Sequence, residues 1–216
     1  MQTPRLSLTA RAAHCTAFLD DAGPVLADIS RSGARADVDG YLHDALLHQG
    51  ACARLEAEGN AATFNRQQLR HALRLEIVGV VRLAQARLPI VPEVRTLVAP
   101  YADASASTLL TAAQFAVGVA GRYEAPLVAY GMGAHTLRRL VECADDLRRA
   151  LDADRDRAAE LRQTRAALKA SLARLRLALR ALDGLVLSHL VASPGLAAQW
   201  SAIFAGRAVM LDSRAA

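Results

Sequence analysis

The sequence predicts an all-α protein: an antiparallel helical bundle with one long heptad-patterned, coiled-coil-like helix near the C-terminus. Three observations carry that reading. Alanine and leucine dominate the 216 residues and aromatic residues make up only 4%; these two are the best helix formers among apolar side chains. No stretch rich in Val, Ile, Thr, Tyr or Phe alternates in the strict way a half-buried strand requires. Finally, apolar residues recur in alternating steps of three and four from Leu137 to Val186.

Those steps run through Leu137, Leu140, Ala144, Leu147, Leu151, Asp154, Ala158, Leu161, Arg165, Leu168, Leu172, Leu175, Leu179, Leu182, Val186 and His189, and only Asp154, Arg165 and His189 are polar. A mean spacing of 3.5 keeps one stripe facing a partner helix. No Gly or Pro interrupts from Ala134 to Asp183, so one helix of about residues 134–191 is expected, roughly 80 Å long at 1.5 Å per residue. The polar patch Asp152–Asp156 is the one place where a hairpin could split it, but the heptad phase passes through without a skip. Asp154 and Arg165 in the seam fix register or mark local exposure, and His189 reads as a satisfied boundary histidine.

The preceding elements follow from local signals. Leu8 to Ser30 reads as a first helix with a kink at Gly23–Pro24, because proline lacks a backbone donor and clashes with the turn before it. Ser32–Gly33 marks a break. A second helix is predicted from about Asp37 to Glu58, ended by Gly59–Asn60. Asn65 as N-cap with Gln68 three residues on opens a third, to about Leu88. Its second half, with Leu75, Ile77, Val78, Val80, Val81 and Leu83, is apolar all round and needs cover on both sides. Pro89 and Pro92 stop it, and a short turn spans Glu93 to Val98 before Pro100.

Ser105 or Ser107 caps a fourth helix to about Gly121, rich in small residues (Ala112, Ala113, Ala116, Gly118, Ala120, Gly121) that let backbones approach closely. That places it centrally in the bundle or in a subunit interface. Pro126 suits the first turn of a further helix. Ser193–Pro194 then starts a short C-terminal helix of about 194–207 carrying Trp200, Ile203 and Phe204. With no internal repeat, low-complexity tract or clear linker, residues 1–216 read as a single helical-bundle domain.

Composition excludes several function classes. Three widely spaced cysteines, Cys15, Cys52 and Cys143, form no C-x-x-C pair and suit a reducing compartment. No apolar window reaches about 18 residues, and the N-terminus lacks a signal-peptide pattern. A cytoplasmic protein with no transmembrane segment is expected. The net charge is +5 and the basic side is nearly all arginine, Lys169 being the sole lysine. GC-rich coding inflates Ala and Arg together, so this excess does not by itself identify a nucleic-acid binder.

Two constellations are candidates for chemistry. Arg148, Arg155, Arg162, Lys169 and Arg176 recur every seven residues beside the seam. Such a row could track a phosphate backbone with strong salt dependence, but flanking charges also choose the neighbouring helix. Residues 1–60 hold eight acidic residues against five arginines, and there is little aromatic interleaving for base stacking. Two copies packed antiparallel would oppose these cations, so an acidic helical partner fits better. The second constellation, Asp44, His48 and Cys52, is spaced four apart along one helix face. His and Cys at that spacing can share a metal with Asp orienting the imidazole, but two further ligands are needed, and His14–Cys15 is the only other adjacent pair. Cys52 packing as a small apolar residue is the simpler account. Phosphate-loop, dinucleotide, nucleophile-elbow, zincin, haem and di-iron motifs are all missing.

The expected function is therefore non-enzymatic: a helical structural or interaction protein without a cofactor. It self-associates or docks a helical partner through the apolar seam Leu147, Leu151, Leu161, Leu168, Leu172, Leu175, Leu179 and Leu182. Two alternatives are carried alongside: a bundle that binds a small apolar ligand or lipid, and a polyanion binder using the basic stripe.

Overall fold

A computed structural model describes residues 6–205. These form α1 (Leu8–Asp21), a 3₁₀ turn (Gly23–Leu26), α2 (Ala27–Ser30), α3 (Gly33–Arg87), α4 (Pro92–Arg95), α5 (Ala106–Arg122), α6 (Glu124–Ala129), α7 (Thr136–His189), a second 3₁₀ turn (Leu190–Ala192) and α8 (Pro194–Phe204). No strand occurs among the described residues, so the protein is an all-α helical bundle. Among the described residues no helix is long and apolar enough to cross a membrane.

Helix α7 runs without a break through Asp152–Asp156. Helix α3 departs from the sequence expectation. The helices predicted at about 37–58 and 65–88 are one 55-residue helix that passes straight through Gly59, Asn60 and Asn65. Glycine costs a helix interior about 1 kcal/mol, an amount that packing readily offsets. Arg157 lies across Gly59, with its Cδ 3.9 Å from where a Cβ would stand.

The other boundaries are set locally. Ser105, one of the two caps the sequence offers, accepts a hydrogen bond from the Thr108 N–H at 3.1 Å and so caps α5. Ser7 caps α1 in the same way through the Ala10 N–H. The kink expected at Gly23–Pro24 is a chain reversal: Gly23 takes φ +57°, a conformation open mainly to glycine, and Pro24 enters the 3₁₀ turn. Residues 206–207 of the predicted C-terminal helix lie outside the described residues.

The chain divides into two compact units, one formed by residues 1–54 and 161–216, the other by 55–160. In the terminal unit, α1, the start of α3, the end of α7 and α8 share a core of Phe18, Leu19, Val38, Leu175, Leu179, Leu182, Val186 and Trp200. Trp200 is its centre, with ring centroids 5.5 Å from Phe18 and 6.3 Å from Phe204. Its Nε1–H donates to Asp183 Oδ1 at 2.7 Å.

In the middle unit, Leu73, Ile77, Val80, Val81 and Ala84 of α3 pack with Leu137, Leu140, Ala144 and Leu147 of α7. Helix α5 adds Leu109, Ala113, Ala116 and Ala120 to this core, and α6 adds Leu127. The pairing is antiparallel: Arg66 binds Asp154 while Arg139 binds Glu76. The all-round apolar part of α3 is only partly covered, since Leu75 remains 54% exposed.

Candidate functional site

An open apolar surface of the middle unit is built by the stretch between α3 and α5. Pro89 and Pro92 end α3 and start α4, since proline cannot continue a helix ladder but tolerates the first turn. Val94 and Leu97 then bury themselves in the core, which pulls residues 97–105 across α3 as coil. Coil backbone carries unpaired carbonyls, and three α3 side chains meet them. Gln85 Nε2 donates to Leu97 O at 2.7 Å, Arg74 Nε to Pro100 O at 3.4 Å and Arg70 Nη2 to Ala104 O at 2.7 Å.

With its carbonyls held to α3, the coil turns Val98 and Tyr101 outward, 69% and 79% exposed. They face α5, whose inner side is buried through Leu109, Ala113 and Ala116. A second α5 face, Thr108, Thr111, Ala112 and Phe115, lines an open groove of about 510 Å³ together with Val98, Ala99, Pro100 and Tyr101. Residues three and four apart share one helix side, so this face is continuous. Phe115 is 48% exposed. A smaller opening of about 350 Å³ lies between α5 and α7, lined by Val117, Gly118, Leu140, Val141 and Ala144.

The seam named from the sequence is largely consumed inside the chain. Leu147 is buried in the middle unit and Leu151 is half-buried beside it. In the terminal unit Leu175, Leu179 and Leu182 are buried, while Leu161, Leu168 and Leu172 are half-buried. Asp154 is gripped by two arginines: Arg66 donates to Oδ2, and Arg157 to Oδ1 at 2.6 Å. It therefore registers α3 against α7 within the middle unit. Arg165 is exposed, and His189 Nδ1 lies 3.0 Å from Leu185 O.

All five residues of the basic stripe are exposed. Arg148 pairs with Asp145 at 2.6 Å and Arg155 with Asp152 at 3.3 Å, each one turn back on α7. Both of those pairs are solvated and contribute little to stability.

Asp44, His48 and Cys52 do not assemble. Asp44 is exposed and Cys52 buried, and His48 Nδ1 lies 3.3 Å from the buried Ser171 Oγ. A Ser–His pair with an Asp on the next turn resembles a hydrolytic triad in composition. Asp44 makes no hydrogen bond to His48, however, and Ser171 is only 7% exposed. No group of three or more His, Cys, Asp or Glu among the described residues is placed to hold a metal ion.

The thiols divide by burial. Burial pushes the Cys15 thiol up to about 12, against a smaller downward pull from Arg11 and a further push from Asp183. Burial also raises Cys143, which is half-buried, with Glu76 and Asp146 adding to the effect. Two consequences are expected. In the native protein a thiol reagent modifies Cys143 first, while Cys15 reacts only as the terminal unit opens, because the thiolate is the reactive form.

Stability should also fall as pH rises above about 9. There the unfolded chain's Cys15 loses its proton while the folded one keeps it, so unfolding releases a proton. Between about pH 8 and 10.5 wild type should lose about 2 kcal/mol more than Cys15→Ala. Urea unfolding at both pH values measures this, and parallel losses would show that Cys15 is not the cause.

The groove was hidden from sequence inspection because Val98 and Tyr101 look like core residues until Arg70, Arg74 and Gln85 anchor the coil. Comparison of the chain with family models, curated proteins and solved structures gives no match in any of the three.

Proposed function

We propose that this is a non-enzymatic interaction protein that docks apolar side chains of a second copy or of another helical protein in the groove beside α5. The observation that carries this reading is the gathering of Val98, Tyr101 and Phe115, all substantially exposed, around one opening. Clustered exposed apolar surface marks association sites, whereas single exposed apolar residues are ordinary. Tyr and Phe are also common anchors of such interfaces. Four of the eight seam leucines, Leu147, Leu175, Leu179 and Leu182, are buried within the chain, which favours the α5 groove over α7 as the docking face.

A second reading has a specific observation of its own. A volume of about 510 Å³ lies within the range of roughly 300–1,000 Å³ occupied by small-molecule sites, so an apolar ligand is the runner-up. For a polyanion the support is thinner, because Arg148 and Arg155 of the stripe are each paired with an aspartate of the same helix.

Native mass spectrometry of protein purified at moderate salt tests both readings. A multiple of 23.0 kDa, or a discrete added protein mass, supports docking. Phe115→Glu should then return the protein to the monomer, with affinity lowered about a hundredfold, roughly 2–3 kcal/mol for a lost anchor. An added mass far below that of a protein, lost in the same variant, favours the ligand. A bare monomer in both wild type and variant overturns the groove as a docking site.

A further inference from the structure

Behind the same coil, on the α3 side, lies a cleft of different character. It measures about 260 Å³ and is lined by Gln67, Arg70, His71, Arg74, Ala102, Ala104 and Leu109. No acidic side chain lines it. Asp103, between two lining residues, is exposed and takes part in no ion pair among the described residues.

Arg70 and Arg74 are half-buried, and neither meets a carboxylate; they donate instead to the carbonyls of Ala104 and Pro100. Three other half-buried arginines, Arg35, Arg66 and Arg157, are each paired with aspartate, whereas half-buried Arg11 stands alone among the described residues, with a buried Nε that has no hydrogen-bond partner. Two unneutralised guanidiniums in a partly desolvated cleft are costly unless a counter-charge arrives. A guanidinium carries five N–H donors in a planar fork, and each carbonyl contact here uses a single nitrogen. The carbonyl contacts also hold the forks in place, which reduces the ordering a ligand must impose.

We propose that the cleft bounded by Gln67, Arg70, His71 and Arg74 binds a phosphate dianion, either free or as the ester group of a small soluble molecule. Positions 67, 70, 71 and 74 fall on one side of α3, one turn apart, so all four side chains converge on one small volume. Two cations suit a dianion better than a monocarboxylate, and the forks match phosphate oxygens bidentately. The volume lies just below the usual range for drug-sized ligands, so the occupant is compact. This site is independent of the apolar groove and stands whether or not the groove docks a partner.

Inorganic phosphate titrated into the isotope-labelled full-length protein, at constant ionic strength, tests the assignment. Saturable amide shifts are expected at residues 67–74 and 102–109, with millimolar or tighter affinity. Methyl phosphate and sulfate should compete, and acetate should bind at least about fivefold more weakly. Ala102→Glu, at an exposed coil position, places a carboxylate at the cleft with both arginines untouched. It should weaken phosphate binding at least about tenfold while circular dichroism stays unchanged. Arg74→Lys should weaken it too, since an ammonium cannot replace the fork.

Several results would overturn the site: no saturable shift, unaltered binding in Ala102→Glu, or shifts spread equally along the exposed cations of α7. Binding only to vesicles containing phosphatidic acid, with no response to free phosphate or its methyl ester, would also overturn it. Arginines that serve only to pin the coil would give no saturable shift at all.

Discussion

Trp200→Ala is expected to remove about 3–5 kcal/mol of stability through the lost side chain and the cavity it leaves. The indole is fully buried and packs against Phe18 of α1 as well as Phe204 of its own helix, so with Ile203 it ties α8 into the terminal core. A second cost adds to the first. Asp183, partly buried, loses the 2.7 Å hydrogen bond from Nε1, and an orphaned buried acceptor costs about 1–3 kcal/mol. Set against a total of about 5–15 kcal/mol for an ordinary domain, the sum is enough to unfold the terminal unit at moderate temperature.

Trp200→Phe separates the two contributions. It keeps most of the ring packing and loses the N–H donor, so a smaller loss of about 1–3 kcal/mol is expected. Urea titrations followed by far-ultraviolet circular dichroism give both values. A loss below about 1 kcal/mol for Trp200→Ala would show that α8 does not depend on this contact. Trp200 is the only tryptophan, so in wild type its fluorescence reports the terminal unit alone.

The parts of this fold written in periodicity were legible in the sequence. The heptads locate α7, and the serines at 105 and 107 bracket the start of α5, because spacing and capping are local properties. The α3 boundaries failed for the opposite reason: Gly59–Asn60 and Asn65 are helix punctuation by local preference, but tertiary contacts with α7 supply what the local chain lacks. The seam was legible as a seam, yet one sequence cannot say whether its partner is internal. Here Val38 in the terminal unit, and Leu73 and Ile77 in the middle unit, fill that role.

Neither candidate site is written in the sequence, for one physical reason. Arg70, Arg74 and Gln85 bind backbone carbonyls, and acceptors of that kind leave no trace in residue identity. Asp44, His48 and Cys52 were visible as a pattern, but a shared helix face does not supply the further ligands a metal needs, and burial separates exposed Asp44 from buried Cys52.

Two substitutions at Gly59 should move stability in opposite directions, and together they test whether α3 is continuous. Gly59→Pro removes a backbone donor in mid-helix and sets the ring against the preceding turn, at a cost of about 3 kcal/mol or more. Were Gly59 the loop between two helices that the sequence suggests, proline would be tolerated or mildly stabilising there. Gly59→Ala instead restricts the unfolded chain and improves helix propensity by about 0.5–1 kcal/mol. The new methyl would stand 3.9 Å from Arg157 Cδ, ordinary contact with a side chain that can shift. Because Arg157 also binds Asp154, a large movement would weaken the grip on that aspartate and erode the gain. The expected order of thermal midpoints is therefore alanine, then wild type, then proline. A proline variant as stable as wild type would break α3 in two at this point.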